Sequence, residues 1–159
     1  MELRFAPRGI IEIDDAKIVF RNFSGTPSQY NREGERNFAV VIPTQEQADQ
    51  LIDDGWNVKI RAPREEGEEP FRYLPVKVKF NDWGPLVKIV NGRNMVELNE
   101  RSVGSLDRLN IISCDMDIRP YDWEMRGSTG RTAYLQKMYV KYQEDRFERR
   151  YAEEEYPEE

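Results

Sequence analysis

Short runs of β-branched and aromatic residues alternate along this chain with stretches of Gly, Pro, Ser, Asn and charge. Between Ile10 and Phe23, Ala16, Ile18 and Phe20 alternate with Lys17, Val19 and Arg21, a period of two that predicts a first strand. The stretch 24–35 (SGTPSQYNREGE) predicts a loop carrying Tyr30 and Arg32 to solvent before Arg36 to Ile42 resumes as strand. Thr44-Gln45-Glu46-Gln47 fits a capping box, with Ala48, Leu51 and Ile52 at i, i+3 and i+4 and Gly55 as the C′ residue. This predicts a short amphipathic helix. Trp56 to Ala62 reads as a third strand and Pro63 to Pro70 as a charged loop. Phe71 to Phe80 is a fourth strand, with Tyr73, Lys77 and Lys79 on one face and Leu74, Val76, Val78 and Phe80 on the other.

Asn81 to Pro85 is dense in turn residues. Leu86 to Val90 and Asn94 to Leu98, joined through Asn91-Gly92, predict a hairpin of type I′. Asn99 to Asp107 offers one further helical turn capped by Asn99. Leu109 to Ile118 and Arg131 to Tyr142 read as the last two strands, separated by a loop from Arg119 to Gly130 (RPYDWEMRGSTG), with Pro120 ending the strand before it. Short strands, two helical interruptions and no regular βαβ alternation predict a mainly β fold, an OB-like small β-barrel with one or two short helical insertions.

The 159 residues suit one domain with one core. No apolar run approaches the ~18 to 20 residues of a bilayer span, and Met1-Glu2-Leu3-Arg4-Phe5 lacks the apolar stretch of a signal peptide, so a cytoplasmic protein without membrane contact is expected. With no histidine and only Cys114, the chain cannot build a Ser-His-Asp or Cys-His pair, a Cys/His zinc cage or an intrachain disulfide. Cys114, beside Ser113 in a β-run, reads as a small buried hydrophobe. Neither G-x-x-x-x-G-K-[ST] nor G-x-G-x-x-G occurs, and no cofactor is expected. An enzyme reading would have to rest on carboxylates holding Mg²⁺. Its candidates are Asp14, Asp15, Asp53, Asp54, Glu65 to Glu69, and Asp115 with Asp117, which share one strand face. Alternating acids on a solvent-facing strand are the commoner reason for such a pattern, and a non-enzyme is expected.

The formal charge of −6 is uneven. Residues 143–159 carry eight acids against three arginines, a net of −5, leaving 22 acids and 21 bases on residues 1–142. The division predicts a nearly neutral domain, 1–142, and an acidic C-terminal tail, 143–159. The tail's first part, to Ala152, has a helical pattern that would dock Phe147 and Tyr151, and its end is too charged to fold alone. Glu153, Glu154, Glu155, Tyr156, Glu158 and Glu159 would then recruit a protein partner, compete with nucleic acid for a basic groove, or simply solubilise the chain.

On the body, aromatic and arginine side chains interleave in loops and at strand ends. One cluster is Arg21, Phe23, Tyr30, Arg32, Arg36 and Phe38; a second is Arg119, Tyr121, Trp123, Arg126, Arg131 and Tyr134. Single-stranded nucleic acid requires this mixture, because exposed bases stack on flat rings while cations track the phosphates. Ser128, Thr129 and Gly130 would add hydroxyl and N–H contacts to a phosphate. Phe20, Phe38, Phe71 and Phe80 lie in apolar runs and read as core. Phe23, Tyr30, Tyr121 and Trp123 stand among polar neighbours and divide evenly between exposure and structure. Lys77 and Lys79 are either phosphate contacts or an ordinary solvated face, and Trp83 either stacks a base or caps the barrel end.

The segments IEIDDAKIVFRNFSG, YNREGERNFAVVIP, LIDDGWNVK, YLPVKVKFNDWGP and DIRPYDWEMRGSTGRTAYLQKMYV together resemble the small DNA-binding proteins of tailed phages and prophages of Gram-positive and gut bacteria. The resemblance spans most of Ile10 to Tyr142. It implies an OB-type single-stranded-DNA-binding protein of phage DNA replication or recombination, with a tail similar to those that bind replication proteins. Such tails often end on an aromatic or apolar anchor, whereas here Tyr156 lies three residues inside Glu158-Glu159. The leading expectation is a non-catalytic, sequence-tolerant single-stranded-DNA binder. The alternatives are a phage inhibitor using its acidic surface as a nucleic-acid mimic, and a Mg²⁺-dependent nuclease. A strand edge pairing with its twin would make a homodimer.

Overall fold

The computed structural model describes residues 1–144. The predicted tail, with the helix to Ala152 and the residues Glu153, Glu154, Glu155, Tyr156, Glu158 and Glu159, lies outside the described residues apart from its first two positions, and Gln143 of these belongs to the last strand.

Ten strands and one α-helix follow one another as β1 (Glu2–Phe5), β2 (Ile11–Ala16), β3 (Ile18–Asn22), β4 (Arg36–Val41), α1 (Gln45–Asp53), β5 (Lys59–Arg61), β6 (Phe71–Val78), β7 (Leu86–Asn91), β8 (Asn94–Leu98), β9 (Asn110–Met125) and β10 (Ser128–Gln143). The hydrogen-bonded order is β1-β2-β9-β10-β6-β4-β3, with β5 on β6 and the β7–β8 hairpin on β10. Strands β6 and β10 run parallel, meeting at Lys77 and Tyr134, and the neighbours along the rest of this path are antiparallel. The path does not close through hydrogen bonds. The end strand β3 is nevertheless tied to β2, one strand in from the other end, because the two are consecutive segments separated only by Lys17. One bent segment thus pairs with β9 on one side and β4 on the other, as in the partly open Greek-key barrel of OB type. No helix among the described residues is long and apolar enough to cross a membrane.

The bend in that shared strand has a local cause. One extra residue is accommodated between Ile13 and Ala16 against β9, and another between Val19 and Asn22 against β4. Asp15 and Phe20 take φ of 54° and 53° there. Such bulges sharpen strand twist and re-aim side chains. A strict alternation counted from Ala16 therefore fails. Phe20, assigned to the core, is 53% exposed, and Phe23, a candidate base platform, is fully buried and stacked on Phe38 with centroids 5.1 Å apart.

The core gathers Ile11, Ile13, Phe23, Phe38, Val40, Leu74, Val76, Ile118, Leu135 and Met138 among others, contributed by the inner faces of the barrel strands. Helix α1 begins at Thr44, whose side chain accepts from Gln47 N–H, and turns Ala48 and Leu51 inward, while Ile52 stays largely exposed. Trp56 is buried rather than opening a third strand, which spans only Lys59–Arg61. The turn after Asn99 is a 3-10 segment, Val103–Asp107. Asn99 Oδ1 accepts from Arg101 and Ser102 N–H at 2.8 and 3.1 Å. The β7–β8 hairpin forms with Asn91 opposite Asn94, so the turn is centred on Gly92-Arg93, one residue later than predicted. Gly92 at φ 60° fits the II′ preference for glycine at the first central position.

The largest departure is the segment 119–130, expected as a loop. It is the outer half of a hairpin in which β9 and β10 each run 16 residues. Pro120 does not end the strand. It pairs with Ala133, beyond the last β2 partner at Ile118, where β9 has a free edge of the kind that accommodates proline. Arg126 and Gly127, at φ 50° and 82°, make the turn with two left-handed residues in succession. The arm extends past the core, so neither face needs apolar side chains and no hydrophobic alternation marks it.

Candidate nucleic-acid interface

The floor of the candidate site is the outer face of β4 and β6, where Asn37 lies opposite Lys77. Lys77 and Lys79 point outward because Val76 and Val78 occupy the alternate, buried positions. β10 meets β6 at this point and sets Tyr134 beside Lys77. Arg36, Lys77, Lys79, Phe80 and Tyr134 line a cleft of about 410 Å³ bounded by Gly34, Glu35 and Glu100. A second cleft of about 460 Å³ is lined by Lys79, Asn81, Trp83, Pro85, Arg119 and Gln136. Lys79 borders both, so the two clefts adjoin at its side chain and together make up the candidate groove.

The hairpin arm supplies one wall. Arg119 and Tyr134 are cross-strand partners, and the guanidinium carbon sits 4.7 Å from the centre of the Tyr134 ring. Tyr121 meets Tyr134 edge-on with centroids 6.2 Å apart. Cation, ring and ring are thus held side by side on the outer face. Among the described residues Lys77, Lys79 and Arg119 make no ion pair, whereas Arg36 lies 3.6 Å from Glu100 and 5.9 Å from the centre of the Phe80 ring. Arg36 Nε is buried without a hydrogen-bond partner among the described residues, an unsatisfied donor that costs stability.

The loop 23–35 borders the groove through Gly34 and Glu35. Its base is anchored by Asp107, which accepts from Phe23 N–H at 2.8 Å, Ser24 N–H at 3.0 Å and Ser24 Oγ–H at 2.7 Å. Asn31 Nδ2 donates to the carbonyls of Thr26, Arg32 and Glu35. Gly25, at φ 72°, lies so close to Gly34 that a Cβ would come within 3.0 Å of its backbone. On this pinned base the Tyr30 ring is 91% exposed, and Arg32 is exposed beside it. Trp83, 93% exposed, does not cap the barrel end.

Other predicted site residues have structural work instead. Phe23 fills the core. Arg21 donates to the carbonyls of Leu106 and Leu109, both at 2.8 Å, and so fastens the 3-10 segment to β3. Arg131 lies on the opposite face of the arm from Arg119. It is bound by Asp122 at 2.6 Å and by the Asp54 carbonyl at 2.6 Å, and stacks over Trp56 at 5.0 Å. The Asp122 hydrogen bond raises the Arg131 pKa and holds the Asp122 carboxyl below its ordinary range. Trp123 faces Gly130 across the arm, where a Cβ would clash with the indole, so part of its ring packs on backbone. Arg126 stands exposed at the arm's tip.

The carboxylate pair of the nuclease alternative is also engaged. Asp115 Oδ1 accepts from Asp15 N–H at 2.9 Å and Oδ2 lies 3.6 Å from Lys141 Nζ. Burial, and then the charge of Glu12, raises the Asp117 pKa. Among the described residues no three acidic or thiol groups gather as a metal cage. Cys114 is buried, and that burial pushes its thiol up to about 12.

Sequence reasoning missed one outer-face cluster. Phe20, Phe71 and Tyr73 pack together at the far end of β6, with Arg61 of β5 lying 5.4 Å from the ring centres of both Phe20 and Tyr73. The signal was present in Phe71 and Tyr73, which share the alternation class of Lys77.

The fold is similar to that of three solved structures. They are the single-stranded DNA-binding protein from bacteriophage Enc34 (11% identity, TM-score 0.55, covering 91% of this chain and 92% of that one), the same protein in complex with ssDNA (12%, 0.58, 90% and 92%) and its C-terminal truncation (13%, 0.53, 89% and 90%). Identity this low speaks for a shared architecture. No curated protein matches the sequence. The model of a phage ssDNA-binding domain matches residues 3–159, nearly the full length, and the chain belongs to that family.

Proposed function

We propose that this protein is a non-catalytic binder of single-stranded DNA with little sequence preference, acting in phage DNA replication or recombination in the host cytoplasm. The observation that carries the reading is the groove at the β6–β10 junction, where Lys77, Lys79 and Arg119, without an ion pair among the described residues, lie among the rings of Tyr134 and Tyr121. Rings offer every base a π-face at about 1–3 kcal/mol each, and the cations neutralise phosphates whatever the sequence. The groove crosses the strand face, flanked by two loops, that OB barrels use for oligonucleotides. Family membership and the likeness to a protein solved in complex with ssDNA support the same partner.

The role of residues 145–159 is part of this proposal. Their acids are drawn to the same positive potential as DNA, so the tail competes for the groove and yields to a longer or tighter strand. Deleting Tyr151 to Glu159 then tightens binding at low salt, and equal affinity with and without these residues leaves recruitment of replication proteins or solubility as the tail's task. Among the described residues β8 pairs only with β7, and its other edge is the one through which two copies would associate.

The test is fluorescence anisotropy with a labelled oligothymidine of about 30 nucleotides, several times the ~4–16 nucleotides that one OB fold covers. Salt-sensitive binding that duplex DNA does not displace is expected. No binding by the full chain or by the tail deletion would discard the reading in favour of an acidic mimic of nucleic acid.

A further inference from the structure

The Phe20–Phe71–Tyr73 cluster lies outside the groove, and nothing in the fold requires it. Phe20 holds a left-handed φ of 53° with its ring 53% exposed. A bulky residue in that region is strained, and the strain holds apolar surface in water, a cost to folding that the ring contacts described next offset. The ring instead completes a T-shaped set with Phe71 at 6.0 Å and Tyr73 at 5.3 Å. Arg61 lies against two of these rings and Lys59 pairs opposite Tyr73; both are exposed, and among the described residues neither makes an ion pair.

Strand geometry links this cluster to the groove. Phe71, Tyr73, Pro75 and Lys77 follow each other on the outer face of β6, and Tyr73 is separated from Lys77 by four residues, about 13 Å. Between them Ala39 of β4 lies opposite Pro75, leaving low relief rather than a barrier. Resting on the proposed function, we infer that the cluster is a second stacking platform. A strand leaving the groove along β6 sets further bases on Phe20 and Tyr73 while Arg61 and Lys59 meet the phosphates. Unpaired cations among rings suit a polyanion that carries flat bases better than they suit an apolar protein face.

The decisive variant is Phe20→Asn, because asparagine tolerates the left-handed region and removes the ring without leaving a cavity. Relief of the backbone strain works against the loss of two ring contacts, so the variant should melt cooperatively as a folded chain. Binding to oligothymidine of about 20 nucleotides should weaken about ten-fold, toward the low end of the stacking contribution of one base. Binding to a strand of about five nucleotides, which the groove accommodates alone, should be unchanged. Arg61→Gln should show the same length-dependent loss. Equal affinity of the folded variants and the parent for the longer strand would overturn the inference while leaving the groove intact. Absence of binding by the parent would instead overturn the proposed function. A parent dimer that Phe20→Asn converts to monomer, with DNA affinity unaltered, would assign the cluster to contact between copies and overturn the platform.

Discussion

Replacing Lys77 and Lys79 together by Gln tests the groove through its salt dependence. Both side chains are exposed on the outer face of β6 or just beyond it, and among the described residues neither is ion-paired, so each is free to neutralise one phosphate. Each neutralised phosphate of a single strand contributes about −0.7 to the slope of log K against log salt. Removing two such contacts should make the slope shallower by about 1.4. Between 50 and 200 mM salt the parent should therefore lose about seven-fold more affinity than the double variant. Folding stability should change by less than about 0.5 kcal/mol, because no buried group is touched. Anisotropy titrations at four salt concentrations supply the slope, with Arg93→Gln in the β7–β8 turn as a cation outside the groove whose loss leaves the slope unchanged. A double variant with the parent slope would show that DNA does not pass over β6, and the groove would cease to be the site.

Phe23→Ala should cost about 3–5 kcal/mol in urea unfolding, because the ring is fully buried on Phe38, and its effect on DNA binding should follow the unfolded fraction alone. Asp122 should remain ionised below the ordinary carboxylate range because Arg131 donates to it. The pair's contribution is then complete above the unfolded-state pKa and fades as pH falls through the lowered one, and Arg131→Gln should move the Asp122 carboxyl resonance to titrate higher. Asp117 has the opposite sign. Its pKa is raised by burial and by Glu12, so stability declines as pH climbs from the ordinary carboxylate value through the raised one. Asp117→Asn should raise the melting temperature at pH 7, with a gain that vanishes in acid; an equal gain at both pH values would contradict this.

Much of the barrel was legible because burial writes period two into a strand. The inner face of β6, the Thr44 cap of α1 and the β7–β8 hairpin all carry that local information. The alternation misled where an extra residue enters a strand. A single bulge between Val19 and Asn22 exchanged the environments of Phe20 and Phe23, and with them the assignment of core and surface. The arm 119–130 was illegible for another reason. It is held by cross-strand pairs, Asp122 with Arg131 and Trp123 with Gly130, which are 9 and 7 residues apart and leave no hydrophobic period. Residue types for stacking and phosphate contact were visible, but their partition was not. Arg119 and Arg131 look equivalent in sequence, yet they lie on opposite faces of the arm, one over Tyr134 and the other locked to Asp122 and Asp54.

The strand divided at Lys17 also governs the order in which the chain can fold. β3 finds β4 about 20 residues later, Val19 opposite Ala39, whereas β2 must wait for β9, Ile11 opposite Ile118. During synthesis at about 5–20 residues per second, the β1–β2 hairpin therefore spends about 5–20 s with one edge unpaired. The ring of strands closes only when the final hairpin leaves the ribosome, so completion is a late, long-range event with the loop-closure cost that slows β-rich domains. A chain shortened within β10 would lose more than that strand, because β9, β6 and β7 all pair with it.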